Sequence, residues 1–184
     1  MINKIINNPA RQTNWYVITG APCSGKTTVV NLLQAQGYKT TIENARHYLD
    51  TQRLDGRTTD EIKKNQTAFQ AAVLNMQIQQ ENELSPGEIV FLDRAIPDAL
   101  AYYRFLHLPE DKMLLDTLYT VSYKKVFILE YLPLVHDYAR TEDETAQKEI
   151  HALLIDVYQS FPFPIIYVPI LKPQERADLI LKNL

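Results

Sequence analysis

The stretch Gly20-Ala-Pro-Cys-Ser-Gly-Lys-Thr27 follows the apolar run Trp15-Tyr-Val-Ile-Thr19 directly and leads into a segment of helical periodicity. It matches G-x-x-x-x-G-K-[ST], the pattern in which a strand hands the chain to a glycine-rich turn and a helix leaves it. Backbone N–H groups along such a turn face inward on an anion, and the positive end of the helix dipole adds to them. Gly20 and Gly25 permit angles and close approaches that a Cβ hinders. Lys26 has the reach for the β- and γ-phosphates of a nucleotide, and the Thr27 hydroxyl is suited to ligating Mg²⁺. The expected phosphate contacts are Gly20, Ala21, Pro22, Cys23, Ser24, Gly25, Lys26, Thr27 and Thr28. A nucleoside triphosphate is the implied ligand.

Apolar runs alternate with helical patterns along the rest of the chain. Val29, Val30, Leu32 and Leu33 recur at helical spacing, and Gly37 stands where a helix C-cap is expected. Short apolar segments predict further strands over 39–43, 88–93, 126–130 and 164–168, making five with the first. Helices are expected over 59–84, from Pro97 through Leu106, and over 174–184. Thr141-x-x-Glu144 reads as a capping box ahead of the stripe Ile150, Leu153, Leu154, Val157, Tyr158 and Phe161. Strands apolar on both faces and separated by helices imply a parallel sheet covered on both sides. The expectation is a three-layer α/β domain over 14–184, preceded by a short arm over 1–13, with its ligand at the carboxyl ends of the strands.

Charge and composition narrow the class of partner. A net charge of −3 gives no general attraction to nucleic acid or anionic lipid. No apolar run approaches the roughly 20 residues of a membrane helix, and the first 13 residues lack a signal-peptide core. Cys23 is the single cysteine, so no intrachain disulfide forms, which suits a reducing cytoplasm. Its place near a helix N-terminus could lower the thiol pKa, but the reading taken is that a small side chain fits the tight turn. The four histidines have no spacing typical of a metal site.

Four further residues carry candidate chemistry. Asp93 ends the run Ile89-Val-Phe-Leu-Asp93, where a carboxylate faces the phosphate loop and can hold Mg²⁺, or cap the next helix. Arg94 follows at once, either steadying a phosphoryl group or making a surface ion pair. Glu43 ends the expected second strand, with Arg46 three residues on. It can accept a proton from an acceptor hydroxyl or help place Mg²⁺, or cap a helix beside Arg46. Arg140 lies in the stretch over 131–145, read as a lid segment, where an arginine neutralises charge developing in phosphoryl transfer, or as a surface loop whose charges cap a helix. Arg53 and Arg57 are read as part of a polar linker. Tyr48, Tyr102 and Tyr103 are read as core or as stacking surfaces for an acceptor ring.

The chain resembles the NadR-like AAA-domain group of P-loop ATPases and kinases. The matching stretches are Val17-Ile-Thr-Gly-Ala-Pro-Cys-Ser-Gly-Lys-Thr27, Glu43-Asn-Ala-Arg46, 91–102, 137–142 and Val168-Pro-Ile, followed by Arg176. The resemblance implies a P-loop NTPase with a five-stranded parallel sheet, using ATP or GTP with Mg²⁺. The function expected is ATP-dependent phosphoryl transfer to a small molecule, a nucleoside or nucleotide among the candidates. The alternative is a nucleotide-hydrolysing switch that regulates a protein partner. The absence of an Asn-Lys-x-Asp element leans toward ATP.

Overall fold

The computed structural model describes residues 10–135 and 143–184. In chain order its elements are β1 (Arg11–Gln12), β2 (Trp15–Thr19), α1 (Lys26–Ala35), β3 (Lys39–Thr40), α2 (Asn44–Leu54), α3 (Thr59–Lys63), α4 (Gln66–Asn82) and β4 (Val90–Asp93). There follow α5 (Ile96–Phe105), α6 (Lys112–Thr117), β5 (Val121–Ser122), β6 (Lys125–Leu129), α7 (Glu144–Gln159), β7 (Ile165–Val168) and α8 (Pro173–Lys182). Five strands form one parallel sheet in the order β3-β4-β2-β6-β7. This is the five-stranded parallel α/β arrangement expected from the strand pattern.

Every residue of β2 and β4 is buried, because helices cover both faces of the sheet. The two-residue period of a strand then divides the core in two. Trp15 and Val17 point to one side with Leu92, Val126 and Ile128, under α4, α5 and α7. Tyr16 and Ile18 point to the other with Phe91, Phe127 and Leu129, under α1 and α8. A third, smaller cluster of Leu49, Ile62 and Phe69 joins α2, α3 and α4 beyond the sheet edge. It supports the wall of the site described below.

The element boundaries differ from the expected ones in several places. β3 stops at Thr40: Thr41 still donates its N–H to the Phe91 carbonyl, and its hydroxyl accepts from the Asp93 N–H. The chain then turns into α2, so Glu43 stands at the N-cap position of a helix rather than at a strand end. The long helix expected over 59–84 is two, α3 and α4. Asn65 separates them, its side-chain oxygen accepting from the Ala68 N–H to start a new helix. Asp143 caps α7 through the Ala146 N–H, whereas Thr141 lies outside the described residues. Arg53 belongs to α2 and not to a linker. The parallel pairing of β1 with β5 and the short helix α6 have no counterpart in the sequence reading.

Candidate active site

The turn between β2 and α1 must carry glycine at its two ends. Gly20 has φ +149, and a Cβ there would stand 2.6 Å from the Leu129 carbonyl and 2.8 Å from Ser24 Oγ. Gly25, at φ +79, is the N-cap of α1. Between them Cys23 also takes a left-handed conformation, φ 58, so consecutive peptides turn to form a concave nest of backbone groups. Lys26 is buried, and its ammonium donates to the carbonyls of Gly20 and Ala21, both at 2.9 Å, and to Ser24 Oγ at 3.1 Å. Burial, then the charge of Arg94, lowers its pKa to about 8, against the pull of Glu43, Asp93 and Asp98. Its charge is thus held inside the loop, where an anionic ligand would compensate it.

Asp93 lies at the carboxyl end of β4, next to the loop. Its Oδ2 accepts from the Thr27 hydroxyl at 3.1 Å, and its Oδ1 is buried with no hydrogen-bond partner among the described residues. Burial, and next the charge of Glu43, pushes the carboxyl up to about 6. An orphaned buried carboxylate oxygen beside a hydroxyl suits a hard cation, so Thr27 and Asp93 fit Mg²⁺. Among the described residues no group of three or more His, Cys, Asp or Glu forms a metal site.

The turn after β4 sets the other half of the site. Arg94 has φ +72, a conformation that costs a side-chain-bearing residue and persists only when its surroundings fix it. They do so at both peptide groups: its N–H donates to the Ile18 carbonyl, and its own carbonyl accepts from the Gln77 amide. The guanidinium reaches Glu43 at 3.3 Å, Asp98 at 3.2 Å and the Tyr102 hydroxyl at 3.1 Å, with side-chain exposure of only 12%. It is therefore no surface ion pair. Burial alone would raise the Glu43 carboxyl, but the charges of Arg94 and Lys26, with the Arg94 hydrogen bond, outweigh it and hold the group ionised below the ordinary carboxylate range.

A cavity of about 260 Å³ opens from the phosphate loop between α2, α4 and α5. Leu49, Phe69, Val73 and Phe105 make its walls apolar, while Glu43 and Arg94 stand where it meets the loop. Gln70 also lines it, buried, and its amide makes no hydrogen bond among the described residues. A slot with apolar walls, the Gln70 amide facing into it and a carboxylate–guanidinium pair at its mouth suits a ring-bearing molecule with a hydroxyl.

A family model described as an AAA domain matches residues 15–176. The chain belongs to that AAA-domain family. No curated protein matches its sequence. Its fold is similar to a deoxyadenosine kinase from M. mycoides bearing dCMP and dCDP, with a TM-score of 0.69 at 15% identity, covering 92% of this chain and 97% of that one. It is also similar to NadR in complex with NR, at TM-score 0.69 and 19% identity, and to NadR with NAD and AMP-PNP, at TM-score 0.62 and 17% identity. The match to the first NadR structure covers 94% of this AAA-domain chain and 50% of NadR, and to the second 94% and 49%.

Within this AAA-domain fold, the phosphate loop, Glu43, Asp93 and Arg94 converge on one edge of the sheet. Arg140 lies outside the described residues. Tyr102 joins the site through Arg94, whose guanidinium also sits 5.2 Å over its ring, while Tyr48 packs on Phe69 and Tyr103 is core. Asp98, part of the matching stretch 91–102, was given no role by the sequence. It accepts from the Thr19 hydroxyl at 2.6 Å, from Arg94, from the Ala95 N–H and from the Tyr158 hydroxyl. Its place four residues after Arg94, in the first turn of α5, was the available signal. Gln70 gave none, because a glutamine in an amphipathic helix reads as surface.

Proposed function

We propose that this protein transfers the γ-phosphoryl group of ATP to a hydroxyl of a small ring-bearing acceptor, with a nucleoside as the first candidate. The observation that carries the reading is the Glu43–Arg94 pair, which faces the loop of Lys26 on one side and the apolar cavity on the other. The similar folds that carry dCMP, dCDP, NR or AMP-PNP support the choice of ligand class. Gln70 would meet the acceptor ring with its free amide, and Arg94 would orient the hydroxyl beside Glu43.

Phosphoryl transfer of this kind depends on positioning and on neutralising charge. Lys26 would leave its carbonyl partners for the β- and γ-phosphates. Thr27 and Asp93 would hold Mg²⁺, which when bound screens the phosphate oxygens. The acceptor oxygen attacks phosphorus, the bond to the bridging oxygen of ADP breaks, and the hydroxyl proton passes to Glu43. The low pKa of Glu43 suits a loose transition state, in which the proton moves late. Arg140 is the candidate for a charge-neutralising arginine. The compartment proposed is the cytoplasm; among the described residues no helix is long and apolar enough to cross a membrane.

Incubating the protein with γ-labelled ATP and a panel of nucleosides tests the reading through its labelled product. Lys26→Ala should abolish transfer, and Glu43→Gln should cut turnover by about 10²-fold or more with little change in the KM for ATP. Full transfer by Lys26→Ala would refute the site. Label found only as inorganic phosphate, released faster by a protein partner, would favour the switch.

A further inference from the structure

Three successive carbonyls of the phosphate loop are held from outside it. The Pro22 carbonyl accepts from Gln147 Nε2 on α7 at 2.7 Å. The Cys23 carbonyl accepts from the Leu132 N–H at 3.0 Å, and the Ser24 carbonyl from Arg176 Nη1 on α8 at 2.6 Å. Both side chains are 2% exposed. α7 and α8 belong to opposite layers of the fold, so the loop is gripped from both sides of the sheet.

Arg176 makes the fuller set of bonds. Its Nε donates to the Pro169 carbonyl at 2.9 Å and its Nη2 to the Glu130 carbonyl at 3.0 Å, tying the ends of β7 and β6 to the loop. Every acceptor is a neutral carbonyl; the Glu130 charge acts on this guanidinium, but no carboxylate makes a hydrogen bond or ion pair with it among the described residues. A buried cation whose hydrogen bonds all go to neutral carbonyls is expensive to keep for fold alone. A trans peptide points its C=O and the following N–H in opposite directions. Drawing the Ser24 carbonyl toward α8 therefore turns the Gly25 N–H away from α8, and drawing the Pro22 carbonyl toward α7 does the same for the Cys23 N–H. A Cβ on Gly25 would lie 3.6 Å from Arg176 Nη1, so the cation sits directly behind the nest.

We propose that Arg176 is a positioning residue for the nucleotide's phosphates, fixing the inward aim of the loop's N–H groups and adding positive charge behind them, with Gln147 as its counterpart on α7. The proposal rests on the reading of this loop as a triphosphate site. It assigns Arg176 no contact with substrate.

Calorimetric titration of the whole protein with ADP and with AMP separates the phosphate increment from the rest of nucleotide binding. Arg176→Gln should lose about tenfold in ADP affinity, the size of one charge-assisted hydrogen bond, with AMP affinity held within about twofold. Arg176→Lys should recover part of the loss, since it keeps the charge but lacks the fork that spans three carbonyls. Gln147→Leu should weaken ADP severalfold. A cooperatively melting Arg176→Gln that binds ADP like the wild type, or loses ADP and AMP equally, overturns the proposal. If that variant does not fold, unaltered ADP affinity in both Arg176→Lys and Gln147→Leu overturns it instead. A wild-type protein that binds no ADP refutes the reading of the loop, and the proposal falls with it.

Discussion

Arg94 shows how much a single residue settles in this site. Its positive φ directs the guanidinium back across the mouth of the cavity, where it meets Glu43, Asp98 and Tyr102 together. Only a planar fork with five donors serves three oxygens at once; a lysine ammonium is a point charge on a flexible stem. Arg94→Lys should therefore keep the charge balance and most of the stability, yet lower phosphoryl transfer by about 10²-fold as the Glu43 carboxylate loses its orientation. Steady-state kinetics on the identified acceptor check this, and wild-type turnover would mean that charge alone suffices. Arg94 drew notice in the sequence because it follows the apolar run that ends at Asp93, and Glu43 because an expected strand ended there, although β3 stops at Thr40. Asp98 drew none, because two of its partners are 79 and 60 residues away, and no local pattern records such pairings.

At the level of elements, legibility followed locality. β2, β4 and β6 are apolar runs buried on both faces, apart from the half-buried first residue of β6, while β7 is an apolar run at the sheet edge with Tyr167 exposed; each lies where its run predicts, within a residue or two at the ends. The α3–α4 break escaped because apolar residues keep near-helical spacing across it; what ends the helix is a side chain competing for backbone hydrogen bonds. Asn65 is the agent, and Thr58 supplies α3 with its own capping box through Glu61. Asn65→Ala should cost about 1 kcal/mol, the usual worth of an N-cap. Urea unfolding should show it as a lower midpoint with an unchanged slope. Because α4 also carries Gln70 and Phe69 into the cavity wall, the variant should weaken acceptor binding more than ADP binding. Equal effects on both ligands would show that this wall is not fixed by the cap.

The whole molecule carries buried acid groups whose pull on stability has a defined sign. Glu81 is buried among the Gln77 amide, the Ile96 N–H and the Tyr123 hydroxyl, so it helps hold the turn that carries Arg94. Burial raises its pKa to about 7 from an ordinary 4.5, against the lowering effect of those bonds and of Arg11. Between those two values the folded chain keeps a proton that the unfolded chain has released. Stability tied to that proton is therefore full below about pH 4.5 and is lost as pH rises through 7. Asp93, raised to about 6, acts in the same direction over a lower range. Glu43 and His151, both lowered, act in the opposite one: Glu43 below the usual carboxylate range and His151 below its ordinary 6.5. Between pH 6 and 8 the Glu81 contribution should dominate the fall in stability. Glu81→Gln fixes that site neutral while leaving an oxygen to accept from Gln77 and Ile96. Its urea midpoint should fall less than that of the wild type between pH 6 and 8, with the difference growing toward the alkaline end. Parallel midpoints across that range would show that Glu81 is ionised in the folded protein throughout, and that the Arg94 turn rests on a buried carboxylate rather than on a neutral acid.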